Sequence, residues 1–524
     1  MIGNKVLSNV KLLLVSIFFA VCFLCFYSKS TTPLMSGYWG WDSAFFILVG
    51  QGMTKGMLPY RDFFDMKGPY LFFLQYIGQL ICYGRMGAFI IQTVNLSFGL
   101  FLMGKISDLF AKTHIWLHRL GMFLLALIFF AATITDGNLT EEYCITPVLL
   151  SIYFCLKYFK TAEEENEYKH PLVYSLINGF SVGYISFIRI TNAAGIGAVL
   201  LTVFLFLLVK KEIKNALLNL GVLMGGFAIA SAIPCIIFYS KHMLREMIYQ
   251  VFIFGFTYST EVGFTEKLFD LFIKYKFLML ISSLPLFICF VYREKWYYRL
   301  LSISSVLMVL FAITLGNMYR HYFTLIIPSL ILGTAIAYKD SRNVKKQRRD
   351  QICVLCFVVL IALNITRIVR SSAHFLYPLS YFSLEMSDGG KPNKVTEMLL
   401  SNHLFADRVI KPDWNKAALE IASYIPDNEK ESVYCFGDSE WSRWYGATGT
   451  LPANKNMDWQ AHYIELIPDL KYEISGWIEE EGSLWIVTSK VNEYSVEEID
   501  EAIENNYEKV FENSDYTLFH RTAV

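Results

Sequence analysis

The chain of 524 residues is 54% hydrophobic, 16% aromatic and only 18% charged, with a mean hydropathy of +0.39. That is the composition of a protein that crosses a membrane many times, not of a soluble domain. Lys plus Arg (46) equals Asp plus Glu (46), so no net field points to nucleic acid, and the place of each charge along the chain carries the information.

Taken in order, the first stretch, "KVLSNVKLLLVSIFFAVCFLCFY", has Lys5 and Lys11 leading an apolar core. No small-x-small cleavage site follows it, so an uncleaved first helix is expected. A span needs about 20 apolar residues, and runs near 11–27, 88–108, 119–135, 143–160, 172–188, 195–209, 215–240, 277–293, 299–316, 323–338 and 351–368 supply about eleven. The spacings of Cys22/Cys25 and Cys353/Cys356 lie inside apolar runs without His or acidic partners, which argues against zinc or redox chemistry. Cys435 alone lies in a polar region, so no disulfide framework is expected.

The run 69–83, "PYLFFLQYIGQLICY", is short and broken by Gly78 and Gln79. If it crossed, the basic loops "KKEIK", "REKWYYR" and "KDSRNVKKQRRD" would lie opposite the Lys5 and Lys11 end. If it lies in the interface, they share that end with "AKTHIWLHR" and "KYFKTAEEENEYKH". The positive-inside rule favours the interfacial or re-entrant reading. It gathers 28–87, "TDGNLTEEY", "RITNAAG" and "GNMYRHYF" on the outer face, with 241–276 as a fifth outer loop carrying surface helices. Beyond Arg370, a polar tail of domain size has strand character in "SVYCFG" and "SLWIVTS", helical periodicity in "DWNKAALEIASYI" and "SVEEIDEAIENN", and a terminal hairpin in "YEKVFENSDYTLFHR". A transmembrane domain over residues 1–370 and a small α/β domain over 371–524 are expected.

Charges at the membrane boundary are costly, about 2.5–3.5 kcal/mol each at mid-bilayer and less near the surface. In "GYWGWDSAFFILVGQGMTKGMLPYRDFFDMKGP", Asp42 opens a helical stretch, where an acid often serves only the helix dipole. Lys67 before Gly68-Pro69 reads equally as a snorkelling anchor, and Arg61 with Asp62 as a local ion pair. Asp136, Glu141 and Glu142 sit in a turn that needs polar residues anyway. Arg189 and Arg320-His321-Tyr322 end helices, where headgroup contact is the plain reading and a pocket for a lipid phosphate the functional one. The sequon at Asn138 is too close to the membrane to be a persuasive glycosylation site. Together these acids, cations and aromatics suit transfer of a sugar from a lipid phosphate, a carboxylate taking the acceptor's proton and cations steadying the leaving phosphate.

The chain resembles the GT-C integral-membrane glycosyltransferases, specifically the group with protein mannosyltransferases and the lipid A aminoarabinose transferase (glycosyltransferase families 39 and 83). In that group an Asp in the first outer loop precedes a "G…PYRD…K-P-P" stretch. Here stand Asp42, Gly50, Gly52 and "PYRDFFDMKGP", and "YRHYFTLIIP" matches a later "R-Y…P" motif. The resemblance covers roughly 1–370. It implies a GT-C fold with interfacial helices in the first outer loop, a polyprenyl-phosphate-linked sugar donor and an inverting mechanism. It also implies Asp42 as catalytic base, Lys67, Arg189 and Arg320 as donor-phosphate ligands, and Asp62, Asp65, His321 and Tyr322 as cavity lining. Glu142 is the preferred second-loop acid, with Asp136 and Glu141 as alternatives. Ser43 stands where a Glu is usual and Gly68 where the first Pro is, so acceptor contacts do not carry over.

No cofactor is expected, although paired acids would permit a divalent metal. The partners implied are the lipid-linked donor, a glycan, lipid or protein acceptor, and membrane lipid, in a cell-membrane protein with a cytoplasmic N-terminus and an extracytoplasmic C-terminal domain. A transporter or lipid flippase is the chief rival reading, but the inverted symmetry common in transporters is absent from the sequence. A structural partner in an envelope complex is the third.

Overall fold

The computed structural model describes residues 2–111, 113–256, 263–292, 295–316, 318–340, 416–437, 439–491 and 494–522. The expected span at 351–368, the Cys353/Cys356 pair and the domain boundary at 370 lie outside the described residues.

Nine helices build most of the membrane region: α1 (Ile2–Tyr27), α2 (Trp41–Thr54), α3 (Pro69–Ile81), α4 (Arg85–Phe110), α5 (Ile115–Thr133), α6 (Thr140–Glu165), α7 (Leu172–Arg189), α8 (Ala194–Val209) and α9 (Ile213–Ser240). Helices at Trp296–Thr314 and Ile327–Asp340 are further members of the bundle among the described residues. Before these two in the chain, a helix breaks at Ser283 into Lys276–Ser282 and Leu284–Tyr292. Within 241–276 the described residues form short helices, Leu244–Ile248 and Phe264–Ile273, and a π-helical turn at Tyr249–Phe254.

Among the described residues, seven helices are long and apolar enough to cross a membrane, or eight if the bent pair Thr265–Ile273 and Lys276–Ile288 is one span. The expected count of about eleven is not settled by these, since the run 351–368 lies outside the described residues. α6 is too polar to qualify, and Leu172–Val209 is counted once, as 38 residues. That stretch nevertheless turns back on itself. Phe206 and Lys210 at the end of α8 touch Tyr168, just before α7 begins, so α7 and α8 run antiparallel with Arg189 at the reversal. Phe187 leaves helical geometry (φ −92°, ψ 19°) and Arg189 is extended (φ −163°) to make the turn.

α3 has 13 residues, about 20 Å of helix at 1.5 Å per residue, too short for a hydrocarbon core of about 30 Å. It buries Gln75 and Gln79 and exposes Ile77, Leu80 and Ile81. Polar-in and apolar-out is the pattern of a segment whose outer medium is lipid. Gln75 meets Asn138 (2.9 Å) and Tyr143 (3.3 Å), which ties α3 to the turn before α6.

Residues 416–522 form a small domain around a four-stranded sheet in the order β1 (Val433–Phe436), β2 (Trp485–Ser489), β4 (Tyr516–Arg521), β3 (Tyr507–Glu512). β1 and β2 are parallel, and β3 and β4 form the antiparallel terminal hairpin. β1 is buried along its whole length and reads as an unbroken apolar run. The domain rests on the start of α2: Arg443 Nε donates to the Tyr38 carbonyl (3.1 Å), and a Cβ on Gly446 would come within 2.5 Å of the Tyr38 ring.

Candidate functional site

The loops at one end of the bundle enclose a cavity of about 1160 Å³. Four chain segments that sequence places far apart meet in its wall. Asp42 comes from the first turn of α2, Lys67 from the loop before α3, Arg189 from the α7–α8 reversal and His321 from the short 3₁₀ turn Arg320–Ile326.

Each is held by identifiable local structure. Gly40 takes φ +76°, and any Cβ there would lie 2.5 Å from that of Asp136, so only glycine lets α2 start against the second loop. Gly68 is tighter still. Its N–H donates to the Ile188 carbonyl (2.9 Å), and a Cβ would sit 2.0 Å from the Phe187 oxygen. A proline could not donate that bond, which gives the departure from the family pattern a physical reason. The contact docks Lys67 beside the turn that carries Arg189. Gln250, in the π-helical turn, completes the clamp by accepting from Asp65 N (3.1 Å) and donating to the Tyr60 carbonyl (2.9 Å), while the Tyr60 hydroxyl reaches the Lys67 carbonyl (2.8 Å).

The floor is a charge network. Arg189 Nη1 donates to Glu141 Oε1 (3.2 Å), and the guanidinium lies over the Tyr322 ring, 4.1 Å from its centre. Glu141 is 1% exposed; its second oxygen has no hydrogen bond among the described residues and stands 4.0 Å from His321 Nε2. Lys67 Nζ lies 3.8 Å from Asp65 and 5.8 Å from the centre of the Phe46 ring. Burial pushes the Asp65 carboxyl above its ordinary range, partly offset by the Lys67 charge and backbone N–H. The charge of Asp42 reaches Arg189, His321 and Asp65.

The expected residues divide. Asp42, Asp65, Lys67, Asp136, Arg189, His321 and Tyr322 line the cavity. Asp136 is already engaged by Lys29 at 2.6 Å. Glu142, the preferred second-loop acid, turns away: it accepts from Leu139 N (3.1 Å) as a reciprocal helix cap and from Gln92 (2.5 Å). Its neighbour Glu141 takes the position under Arg189. Arg320 does not line the cavity, since its Nε is committed to the Ala132 carbonyl (2.7 Å). Asp62 pairs with Arg61 and accepts from Leu58 N (2.6 Å), bracing its own loop. Among the described residues no three His, Cys, Asp or Glu side chains converge as a metal ligand set.

Sequence reasoning missed the roof. Trp459, His462 and Tyr463 of the C-terminal domain line the same cavity, and Phe64 stacks edge-on with Tyr463 at 5.2 Å. The only signal was an aromatic and histidine cluster, "DWQAHY", in a tail otherwise rich in charge.

No protein-family model matches the sequence, and no curated protein matches it. Among solved structures the chain is similar to ArnT from Cupriavidus metallidurans bound to undecaprenyl phosphate, at 10% identity over 100% of this chain and 99% of that one, with a TM-score of 0.56. It is similar to the apo state of ArnT at 11% identity, over 99% and 98% of the two chains, with a TM-score of 0.55. The apo oligosaccharyltransferase of Archaeoglobus fulgidus aligns at 12% identity over 92% of this chain and 69% of its own, with a TM-score of 0.48. What is shared at such identity is the fold: the chain is a multi-pass helical membrane protein of GT-C type with a small C-terminal sheet domain.

Proposed function

We propose that the chain is a glycosyltransferase that moves a sugar from a polyprenyl-phosphate donor to an acceptor on the outer side of the membrane. One observation carries this reading: a single cavity holds a helix-start acid, Asp42, together with two cations, Lys67 and Arg189, from different segments. The structure of ArnT with undecaprenyl phosphate supplies a lipid phosphate of the right kind in the same fold.

The acceptor hydroxyl oxygen attacks the anomeric carbon of the donor and the bond from that carbon to the phosphate oxygen breaks. The electron pair leaves with the phosphate and the hydroxyl proton passes to Asp42. Lys67 and Arg189 meet the phosphate as its charge grows, Arg189 offering two parallel N–H donors. Glu141 orients Arg189 and His321. One displacement inverts the anomeric centre, and no metal enters the scheme. A polyprenyl chain leaves through the apolar side of the cavity. The N-terminus is cytoplasmic and the C-terminal domain extracytoplasmic in this reading.

Purified protein supplied with radiolabelled polyprenyl-phosphate sugars, hexosyl and pentosyl, is expected to release polyprenyl phosphate with at least one of them. No turnover with any donor, together with net movement of lipid-linked sugar across proteoliposomes, would establish a transporter instead.

A further inference from the structure

The partly exposed residues that line the cavity make two rims of different chemistry. One rim is apolar and open, with Ile190 60%, Leu315 43% and Tyr319 42% exposed. The other is built by two tryptophans, one from each domain of the molecule. Trp41 is 45% exposed although it lines the cavity, and it immediately precedes Asp42. Trp459 meets it edge-on, with ring centres 4.7 Å apart at 71°.

The second tryptophan is set there at a conformational cost. Its φ of +55° is in the left-handed region, which bulky residues avoid. Such geometry persists only where the surroundings impose it, and it gathers at functional sites. The imposing group is Asp458, buried, which accepts from Trp459 N (3.1 Å) and from Ser442. His462 lies behind, 6.3 Å from the Trp459 ring centre.

We propose that the Trp41–Trp459 rim is the acceptor subsite and that its occupant is a neutral sugar ring of a glycan. This rests on the glycosyltransferase reading and goes beyond it by choosing among glycan, lipid and protein acceptors. The C–H face of a pyranose is flat and apolar, and packs on an indole face while its hydroxyls stay free to hydrogen-bond. A ring against Trp41 puts a hydroxyl next to Asp42, the neighbouring residue. An anionic lipid headgroup finds no counter-charge at this rim. Among the described lining residues the lysine and arginine are Lys67 and Arg189, both in the floor, whereas the acid Asp42 stands next to Trp41 itself. A peptide added as a strand would need an open strand edge, and this rim offers helix starts instead, Trp41 opening α2 and Trp459 capping the helix Gln460–Leu466.

The test compares envelopes of cells that make, from the same locus, the wild-type chain, Asp42→Asn, Trp459→Ala or Trp459→Phe. Polysaccharide, protease-released glycopeptide and organic-extractable lipid are separated and their sugars measured. One sugar is expected to vanish from the polysaccharide fraction with Asp42→Asn, to fall at least about tenfold with Trp459→Ala, and to stay near wild type with Trp459→Phe, which keeps an aromatic face. Purified Trp459→Ala is expected to melt as a folded protein and to bind undecaprenyl phosphate as the wild type does. Loss of sugar from the glycopeptide or lipid fraction, no loss with Trp459→Ala, or an equal loss of undecaprenyl phosphate binding would overturn the glycan subsite while leaving the transferase intact. No change in any fraction with Asp42→Asn would overturn both.

Discussion

Acids meet cations at both ends of the bundle, yet the two ends differ in burial and in what is left over. At the end opposite the cavity, Glu163 accepts from Tyr297 (2.5 Å) and Lys339 (3.3 Å) with Lys295 at 3.4 Å, and Arg119 holds Asp108 by two bonds of 2.8 Å. Those acids and cations close on one another, and none of them lines the cavity. At the other end Glu141 keeps one oxygen without a hydrogen bond among the described residues, and Lys67 and Arg189 face a cavity of about 1160 Å³. An ion cluster closed on itself joins helices; one open to a cavity is arranged for a ligand.

The largest expected effect is on chemistry. Asp42→Asn should lower transfer by about 10²- to 10⁴-fold with the melting transition preserved, whereas Glu163→Gln should lower the melting temperature and leave transfer per folded molecule unchanged. Equal activity in Asp42→Asn and wild type would erase the distinction between the two ends. Gly68→Ala comes next. Its Cβ would overlap the Phe187 carbonyl, so a loss of about 1–3 kcal/mol in stability is expected, along with a raised KM for donor as Lys67 shifts. A neutral outcome would mean that the α7 turn yields easily.

Smaller but sharper is a pair of adjacent substitutions. Glu141→Gln removes the anion between Arg189 and His321 and should lower donor turnover about tenfold, while Glu142→Gln, on the cap, should change stability more than turnover. The reverse order in a kinetic assay would restore Glu142 as the acid of the site.

The smallest effect is a pH dependence. Burial raises the Asp458 carboxyl from 3.8 to about 7. A folded-state value above the unfolded one means that its contribution to stability is fully present below the ordinary carboxylate range and is lost as pH rises through about 7. The melting temperature of the C-terminal domain should therefore fall over that range in the wild type and stay flatter in Asp458→Asn. Parallel pH profiles for the two proteins would contradict it.

Much of the fold is legible in the chain. Apolar runs mark the helices, loop charge separates the two ends, and alternating segments locate β1, β2 and the hairpin. The reversal at Arg189 was legible too, since the runs 172–188 and 195–209 are separated by the polar "RITNAAG", whereas the full span count is not settled by the described residues. Within the site, Asp42, Lys67 and Arg189 could be picked out as charges set against apolar runs. Glu141 and Glu142 could not be told apart, since successive residues on a helix point about 100° apart and only packing decides which faces in. Arg320 is a related case: it neighbours the lining residues His321 and Tyr322, yet its Nε donates to the Ala132 carbonyl. Trp459 was invisible because it joins Trp41 across most of the chain's length.

The most direct measurement of the central claim is a titration of undecaprenyl phosphate against the purified wild type, Lys67→Ala, Arg189→Ala and, at the closed end, Arg119→Ala. Binding in the wild type and in Arg119→Ala, weakened about 10- to 100-fold in the other two, is the predicted result. The same affinity in all four proteins, or no binding to the wild type, would contradict the account.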